Sequence, residues 1–441
     1  MRARQNSPQI EMVRLDRLTP HPNTPRHHPR RQINKLKTSL QEYGFILPIL
    51  IDGSGMIVAG HARFAAAREL GYEEVPGIRI THLTNEQLRA YHIADNKLAE
   101  GAQWDRERLA IEFEFLAEAN FDLQLTGFET PEIDLVMGLA RDKEYDDLAD
   151  EVELPTEDTT AISRIGDIWA LGRHRLICGN SLEIDTYRAL LGDVSADMIF
   201  TDVPYNVPVN GHVSGLGATK HREFAMASGE MSLDEFTAFL TTVFKNLVSF
   251  SRDGSIHFQC IDWRHVDEMS NAARSAELET KNLCVWDKTA AGMGSLYRSQ
   301  HELVFVYKNG TAPHINNVEL GVHGRHRSNV WTYPGANTFS KSRSKKLVSH
   351  PTVKPVAMVA DAMLDCSRQN DIILDPFAGS GTIFIAAEKT GRRGYGIELD
   401  PLYVDSTIRR WEKLTGEKAR HAELNLTLDE VAAYRHNLVE F

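Results

Sequence analysis

The chain has 441 residues, a formal net charge of −12 and four cysteines that form no CxxC pair. Its length exceeds what one hydrophobic core usually supports, which predicts two or more domains, and the cysteine spacing argues against disulfides, a zinc site or another metal centre. No apolar run reaches the roughly 20 residues that span a bilayer, and residues 1–16 lack the apolar core of a signal peptide, so we expect a cytoplasmic protein with no membrane partner.

Apolar and helical patterns predict a small α/β domain over residues 1–102. Its predicted elements are a strand at 10–13, a helix at 32–43, a strand–turn–strand unit at 48–59 and helices that begin near Gly60 and Thr84. Residues 103–154 predict a helical segment followed by an acidic linker.

From residue 165 onward, short β-branched runs alternate with helical stretches. This alternation predicts an α/β domain at residues 155–441, with a doubly wound, mostly parallel sheet and helices on both faces. The candidate strands lie at 175–178, 198–201, 256–260, 283–286, 303–307, 372–374 and 395–397.

One chemical motif is a glycine loop after a buried strand, DPFAGSGT at residues 375–382. Glycines let the backbone approach a ligand closely, and the helix that follows offers free N–H groups. Glu398 ends the next predicted strand, where an acid can accept both hydroxyls of a ribose. The loop has no phosphate-binding lysine, which disfavours a nucleoside triphosphate. This layout therefore predicts a nucleoside site.

A second motif, TDVPYN at residues 201–206, puts an acid, a rigid turn and an aromatic ring at the end of an apolar strand. Taken alone, this segment would more simply be a strand-end turn with an exposed acid. An aryl amino group is a poor nucleophile because its lone pair is delocalised into the ring. Hydrogen bonds from its N–H groups to Asp202 and a turn carbonyl would free that lone pair, and Tyr205 would stack on a base taken out of the duplex.

Together, TDVPYN and DPFAGSGT resemble the two signature motifs of the amino-group DNA methyltransferases. The catalytic motif comes first, as in the beta-ordered class of N6-adenine and N4-cytosine enzymes. The resemblance implies S-adenosyl-L-methionine as cofactor and double-stranded DNA as partner, and a homodimer is compatible with the sequence. It assigns catalysis to Asp202, Pro204 and Tyr205. The cofactor-binding candidates are Asp375, Phe377, Gly379, Gly381, Thr382, Glu398, Asn180 and, in the segment HPTVKP, Lys354.

Val203 departs from the family, which usually has proline at this position. Because the position is expected to contribute its backbone carbonyl, valine supplies the same acceptor and the loss is one of rigidity. Aspartate at the first position of the motif resembles the adenine enzymes, since the cytosine relatives more often have serine. We therefore expect methylation of adenine N6, with cytosine N4 as the alternative.

The run AGHARFAAA at residues 59–67 resembles the ParB-like fold, in which this helix start binds nucleotide phosphates. The resemblance makes Gly60, His61 and Arg63 the phosphate-binding candidates of the N-terminal domain. The family's GERR-like run reads GHAR here, so an arginine is missing and nucleotide hydrolysis is not expected. Arg63 would equally serve as a surface charge on an amphipathic helix, and His61 as a helix cap.

Charge is distributed unevenly along the acidic chain. Acidic residues crowd residues 129–158, whereas residues 320–360 contain no Asp or Glu. Aromatic residues interrupt this basic stretch, a composition that fits a nucleic-acid-facing loop. We expect DNA-recognition loops at about 206–230 and 288–349. The DNA-binding candidates are Arg325, Arg327, Lys341, Arg343, Lys345 and Lys346.

Two other interpretations stay open. A methyltransferase for protein glutamine or RNA is disfavoured, because those relatives usually carry the cofactor motif first and asparagine in place of Asp202. A ParB-like DNA-binding protein with an impaired methylase half has Val203 as its only support. A restriction-modification role fits the motifs, but neither the recognition site nor a partner nuclease can be read from the sequence.

Overall fold

The structure, a computed structural model, describes residues 9–24, 26–99, 101–102, 104–119, 121–138, 159–206, 229–291, 296–318, 326–335 and 353–437. Backbone contacts divide the chain into two units, Met1–Glu129 and Thr130–Phe441. This division falls inside the segment predicted as a helical linker. Of the helices in the described ranges, none is both long and apolar enough to cross a membrane.

The first unit packs helices on a small sheet. Its elements are β1 (Ile10–Arg14), α1 (Arg30–Tyr43), β2 (Ile49–Ile51), β3 (Ile57–Ala59), α2 (His61–Glu69), β4 (Glu74–Arg79), α3 (Asn85–Ala99) and α4 (Arg106–Glu118). The strands form one sheet in the order β1-β4-β2-β3, over a core that includes Ile49, Ile57 and Phe64. β4 was not predicted, because Pro76 and Gly77 interrupt its apolar pattern.

The second unit is built on a ten-stranded sheet. Its strands are β5 (Ile168–Leu171), β6 (His174–Cys178), β7 (Ala196–Asp202), β8 (Ser251–Ile261), β9 (Glu279–Asp287), β10 (His301–Lys308), β11 (Val330–Thr332), β12 (Ile372–Asp375), β13 (Arg393–Glu398) and β14 (Arg420–His421). The sheet order is β11-β9-β10-β8-β7-β12-β13-β6-β5-β14. The central strands, from β8 to β6, are parallel, and antiparallel pairs lie toward both edges. The predicted mostly parallel sheet is confirmed, with mixed edges.

Helices cover both faces of this sheet. They are α5 (Thr130–Val136), α6 (Ile184–Leu191), α7 (Leu233–Ser249), α8 (Val266–Ser275), α9 (Val356–Cys366), α10 (Thr382–Thr390), α11 (Pro401–Thr415) and α12 (Leu428–Asn437). Alternate side chains of β7 enter opposite apolar layers, Met198 and Phe200 on one face and Ile199 on the other. Burial on both faces explains why the central strands read as continuous apolar runs.

A buried ion pair between Asp134 and Arg392 connects α5 to the rest of the second unit. Arg392, directly before β13, has 0% of its side chain exposed, and Asp134 on α5 has 1%. The guanidinium donates to both carboxylate oxygens, at 2.9 and 3.1 Å, and Gln369 donates to the same carboxylate. This contact is the physical reason why the segment from Thr130 onward groups with the sheet.

Candidate active site

Acidic residues end three neighbouring strands of the sheet: Asp202 on β7, Asp375 on β12 and Glu398 on β13. These strands are parallel, so their carboxyl ends share the edge where open α/β sheets bind ligands. Burial raises the pKa of Asp375 to about 7, and the nearby carboxylates of Asp202 and Glu398 add to the rise. The structure thus brings together two motifs that are far apart in the sequence.

Backbone N–H groups from the glycine loop and from the residues after β13 hold the Glu398 carboxyl. The N–H of Gly379 donates to Glu398 Oε2, and the N–H of Asp400 donates to Oε1, both at 2.8 Å. Burial raises the pKa of the Glu398 carboxyl to about 7. Gly381 caps α10 with φ of 81°, and a Cβ there would lie 2.5 Å from the Thr407 side chain. Glycine is therefore required at position 381.

The other predicted cofactor residues lie within this loop or near the end of β6. Asp375 Oδ1 accepts the N–H of Phe377 at 3.0 Å, and Thr382 begins α10, where its hydroxyl accepts a hydrogen bond from Arg410 at 3.2 Å. Asn180 follows β6, and its side-chain oxygen accepts the backbone N–H two residues later at 3.0 Å. Asp375 thus ends β12, Phe377 and Thr382 follow it in the glycine loop, and Asn180 follows β6.

Lys354, a predicted cofactor residue, lies against Asp202. Its Nζ is 2.6 Å from Asp202 Oδ2, 3.1 Å from Glu302 Oε2 and 3.0 Å from the Tyr205 hydroxyl oxygen. An ammonium has three N–H donors, and these partners account for all of them. These contacts place Lys354 beside the TDVPYN motif, and its predicted contact with the cofactor stays a prediction.

Glu302 and Lys288, to which no site role was assigned from the sequence, complete a charge cluster around Lys354. Glu302, on β10, pairs with both Lys354 and Lys288. Burial would raise the pKa of Glu302, but these two ammoniums lower it to about 2. Burial raises the pKa of Asp202 against the pull of Lys354, and the charge of Glu302 adds to the rise. The Asp202 side chain is 27% exposed, against 5% for Lys354, so Asp202 is the member of this pair that a substrate can reach.

The remaining residues of TDVPYN shape the turn. Val203 is buried in the apolar layer that covers β7, so valine fills a core position there. Tyr205 places its hydroxyl oxygen 2.8 Å from Asp202 Oδ1. Asn206 has φ of 53°, and its side chain exchanges hydrogen bonds with the backbone of Met231. Asn206, to which no role was assigned from the sequence, therefore joins the two ends of the connection at 207–228, which lies outside the described residues.

Among the DNA-binding candidates, Arg327 is largely buried. Its guanidinium donates to Asp365 at 2.9 Å, to Asp361 at 3.3 Å and to the Tyr333 hydroxyl at 2.8 Å. These contacts argue against the predicted DNA contact of Arg327. The other candidates lie outside the described residues: Arg325, Lys341, Arg343, Lys345 and Lys346.

In the N-terminal unit, Gly60 caps α2 with φ of 101°. His61 Nε2 accepts the backbone N–H of His21 at 3.3 Å, and burial with nearby imidazoles lowers the pKa of His61 to about 4. Arg63 donates to the carbonyl oxygens of Leu47 and Pro48. Both side chains thus have structural partners, and phosphate binding there stays a prediction. Throughout the ranges that the structure describes, no His, Cys, Asp or Glu cluster could hold a metal ion.

A parallel sheet with a nucleoside-type glycine loop, beside an acid that can orient an amino group, defines the class of S-adenosylmethionine-dependent methyltransferases. Residues 196–409 match the sequence model of the N6/N4 DNA methylases. Residues 1–97 match the ParB N-terminal domain and residues 107–165 the helix-turn-helix domain of ParB-methyltransferases. Residues 196–409 are therefore similar to the N6/N4 DNA methylases, and the N-terminal region is similar to ParB-type domains.

Similar proteins match the methylase part of the chain. The Type II methyltransferase M2.MboI of Moraxella bovis is 24% identical over 233 residues, which cover 51% of this chain and 83% of that protein. M2.DpnII of Streptococcus pneumoniae is 27% identical over 246 residues, covering 52% and 87%. A Thermus thermophilus protein described as a DNA modification methylase, solved with S-adenosyl-L-methionine, is 21% identical and covers 54% of this chain and 93% of its own, with a TM-score of 0.39.

The match describes residues 196–409 as a DNA methylase, a class of enzyme that uses S-adenosyl-L-methionine as cofactor, and the residues at the strand ends fit that group. Gly379 and Gly381 both have positive φ, a backbone conformation that lets the loop turn tightly beside Glu398. Each oxygen of Glu398 accepts one backbone N–H and has a second lone pair for a ribose hydroxyl. Asp375 and Asn180 supply further polar atoms beside it.

Proposed function

We propose that this enzyme methylates N6 of adenine in double-stranded DNA. One observation carries the proposal: Asp202 is a partly exposed carboxylate at the end of β7, one strand away from the glycine loop on β12. Aspartate at this motif position favours adenine, and N4 of cytosine is the alternative. Asp202, Pro204 and Tyr205 are the residues to which we assign catalysis.

Asp202 would act on the target amino group of a base taken out of the duplex. When bound, the cofactor would supply a sulfonium methyl group: the N–C bond would form as the S–C bond breaks to leave a neutral thioether, and the amino nitrogen would lose one proton. Asp202 accepts an N–H of that nitrogen and so favours a tetrahedral nitrogen with a free lone pair. Its raised pKa also makes it a suitable acceptor for the released proton. The ring of Tyr205 offers a stacking surface for the base.

The test is Asp202→Ala, studied in a single turnover with saturating cofactor and DNA. We expect the methyl-transfer rate to fall about 10²-fold or more, as when other transition-state hydrogen-bond partners are removed, with cofactor affinity retained. Asp262→Ala is a matched control, because Asp262 directly follows the neighbouring strand β8 and pairs only locally, with Arg264. Near-normal chemistry in the Asp202 variant would refute the proposal and favour a DNA-binding protein.

The modified base needs a separate measurement. DNA methylated with labelled cofactor would be digested to nucleosides and separated by chromatography with mass detection. We expect N6-methyladenine. Label in N4-methylcytosine would transfer the same mechanism to cytosine and show that aspartate at position 202 does not select the base.

We also propose an accessory DNA-binding role for the N-terminal region. Its two matched segments are of ParB type, and the boundaries at about residues 102 and 154 remain our proposal for the domain limits. The basic residues at 341–346 would contact phosphates. DNA as substrate makes the cytoplasm the expected compartment, and a homodimer stays a prediction to be tested by light scattering.

A further inference from the structure

The hydroxyl of Tyr205 lies between two carboxylates. Its oxygen is 2.8 Å from Asp202 Oδ1 and 2.9 Å from Glu302 Oε2. A tyrosine hydroxyl carries one proton, so it can donate to only one of them at a time. Lys354 Nζ lies 3.0 Å from the same oxygen and donates to it. The hydroxyl proton therefore has two alternative acceptors, Asp202 and Glu302, and can pass from one to the other by rotation of the hydroxyl.

We propose that Glu302 is a positioning residue that takes the Tyr205 hydroxyl hydrogen bond away from Asp202 when the target base enters. The inference rests on the function proposed above, in which Asp202 accepts the target amino group. While Tyr205 donates to Asp202 Oδ1, it occupies one of the two lone pairs of that oxygen and weakens the oxygen as an acceptor for the amino group. Rotation of the hydroxyl toward Glu302 frees that lone pair, and no covalent bond changes.

The surroundings of Glu302 suit this role. Lys288, directly after β9, and Lys354, before α9, both pair with Glu302, so it remains an ionised acceptor. The indole ring of Trp286 lies 5.1 Å from the Lys288 ammonium and 5.7 Å from that of Lys354, and limits where both can move. Glu302 itself is buried, so it acts on the substrate through Tyr205.

The test is a double-variant cycle with Glu302→Gln and Tyr205→Phe, measured as single-turnover methyl transfer at saturating DNA and cofactor. Glutamine has one acceptor oxygen for the three donors around it, so Tyr205 should stay on Asp202. We expect Glu302→Gln to slow the reaction about tenfold, the worth of one hydrogen bond. In the Tyr205→Phe background, which keeps the ring but has no proton to redirect, Glu302→Gln should change the rate less than about twofold.

Two further variants keep the result interpretable. Glu279→Gln is the matched control, because Glu279 pairs with Lys281 and Lys308 at the start of β9, and it should leave the rate unchanged. Glu302→Asp keeps the charge but draws the carboxylate back from Tyr205, so it should show the same dependence on the hydroxyl even if Glu302→Gln fails to fold.

An equal loss with Tyr205 intact and in the Tyr205→Phe background, or no loss in either, would overturn the inference. If Asp202→Ala is inactive in the same assay, such a result refutes the role of Glu302 alone. If Asp202→Ala is active, the proposed function fails as well.

Discussion

Asp134→Ala would leave the fully buried guanidinium of Arg392 without its carboxylate. Removing one partner of a buried ion pair typically costs about 3 to 5 kcal/mol. Arg392 would still donate to the carbonyl oxygens of Ser367 and Thr390, so we expect about 3 kcal/mol. That loss corresponds to a fall in melting temperature of roughly 5 °C for the unit Thr130–Phe441, at about 2.1 cal/mol/K of unfolding entropy per residue. Chemical and thermal denaturation of the full chain would measure both quantities.

A matched control and a paired variant make this prediction specific. Asp185→Ala removes an exposed ion pair with Arg188 and should change stability too little to measure. Replacing both buried partners, by Asp134→Leu with Arg392→Met, should recover part of the loss, because no uncompensated charge remains. If the Asp134→Ala variant has the same melting temperature as the wild type, the carbonyl acceptors alone satisfy Arg392 and the reasoning is wrong.

Two other predictions follow from the site. The pKa of Glu398 is raised to about 7 from an ordinary 4.5, so the folded state binds this proton more tightly than the unfolded state does. The protonated carboxyl therefore adds to the free energy of unfolding at pH 4.5, and this contribution is lost as pH rises to about 7. Urea unfolding without cofactor should therefore depend less on pH between 5 and 8 in Glu398→Gln, and an unchanged dependence would contradict the shift. Arg327→Met should lower stability through its lost pairs with Asp361 and Asp365 and leave the salt dependence of DNA affinity unchanged; a flatter dependence would restore Arg327 as a phosphate contact.

The central strands could be predicted from the sequence because they are buried on both faces and form apolar runs. The predicted strand at 198–201 lies within β7, and that at 372–374 within β12. The strands that were missed in the ten-stranded sheet are short and lie toward its edges, such as β11 and β14. In these strands few residues pair, so the hydrophobic pattern is too weak to detect.

The site was predictable where a residue ends a strand, and unpredictable where it depends on pairing between strands. Glu302 reaches the cluster because β9 and β10 are antiparallel, with Trp286 opposite Glu302, a register that no motif states. The expectation for Arg327 differs from the structure for a related reason. The acid-free stretch predicts unneutralised charge, yet Asp361 and Asp365, just beyond it on α9, pair with Arg327.

β7 and β12 are hydrogen-bonded neighbours, with Met198 beside Ile373, although a long stretch of chain separates them. The spacing between Asp202 and the glycine loop is therefore set by two adjacent strands about 4.8 Å apart, and not by the length of the chain that connects them. The intervening connections can therefore differ in length and sequence without moving Asp202 relative to the glycine loop. One route to redesign specificity is to replace the connection between β7 and α7 with that of a relative. Asn206 would be kept, because its side chain holds the backbone of Met231 at the other end of this connection.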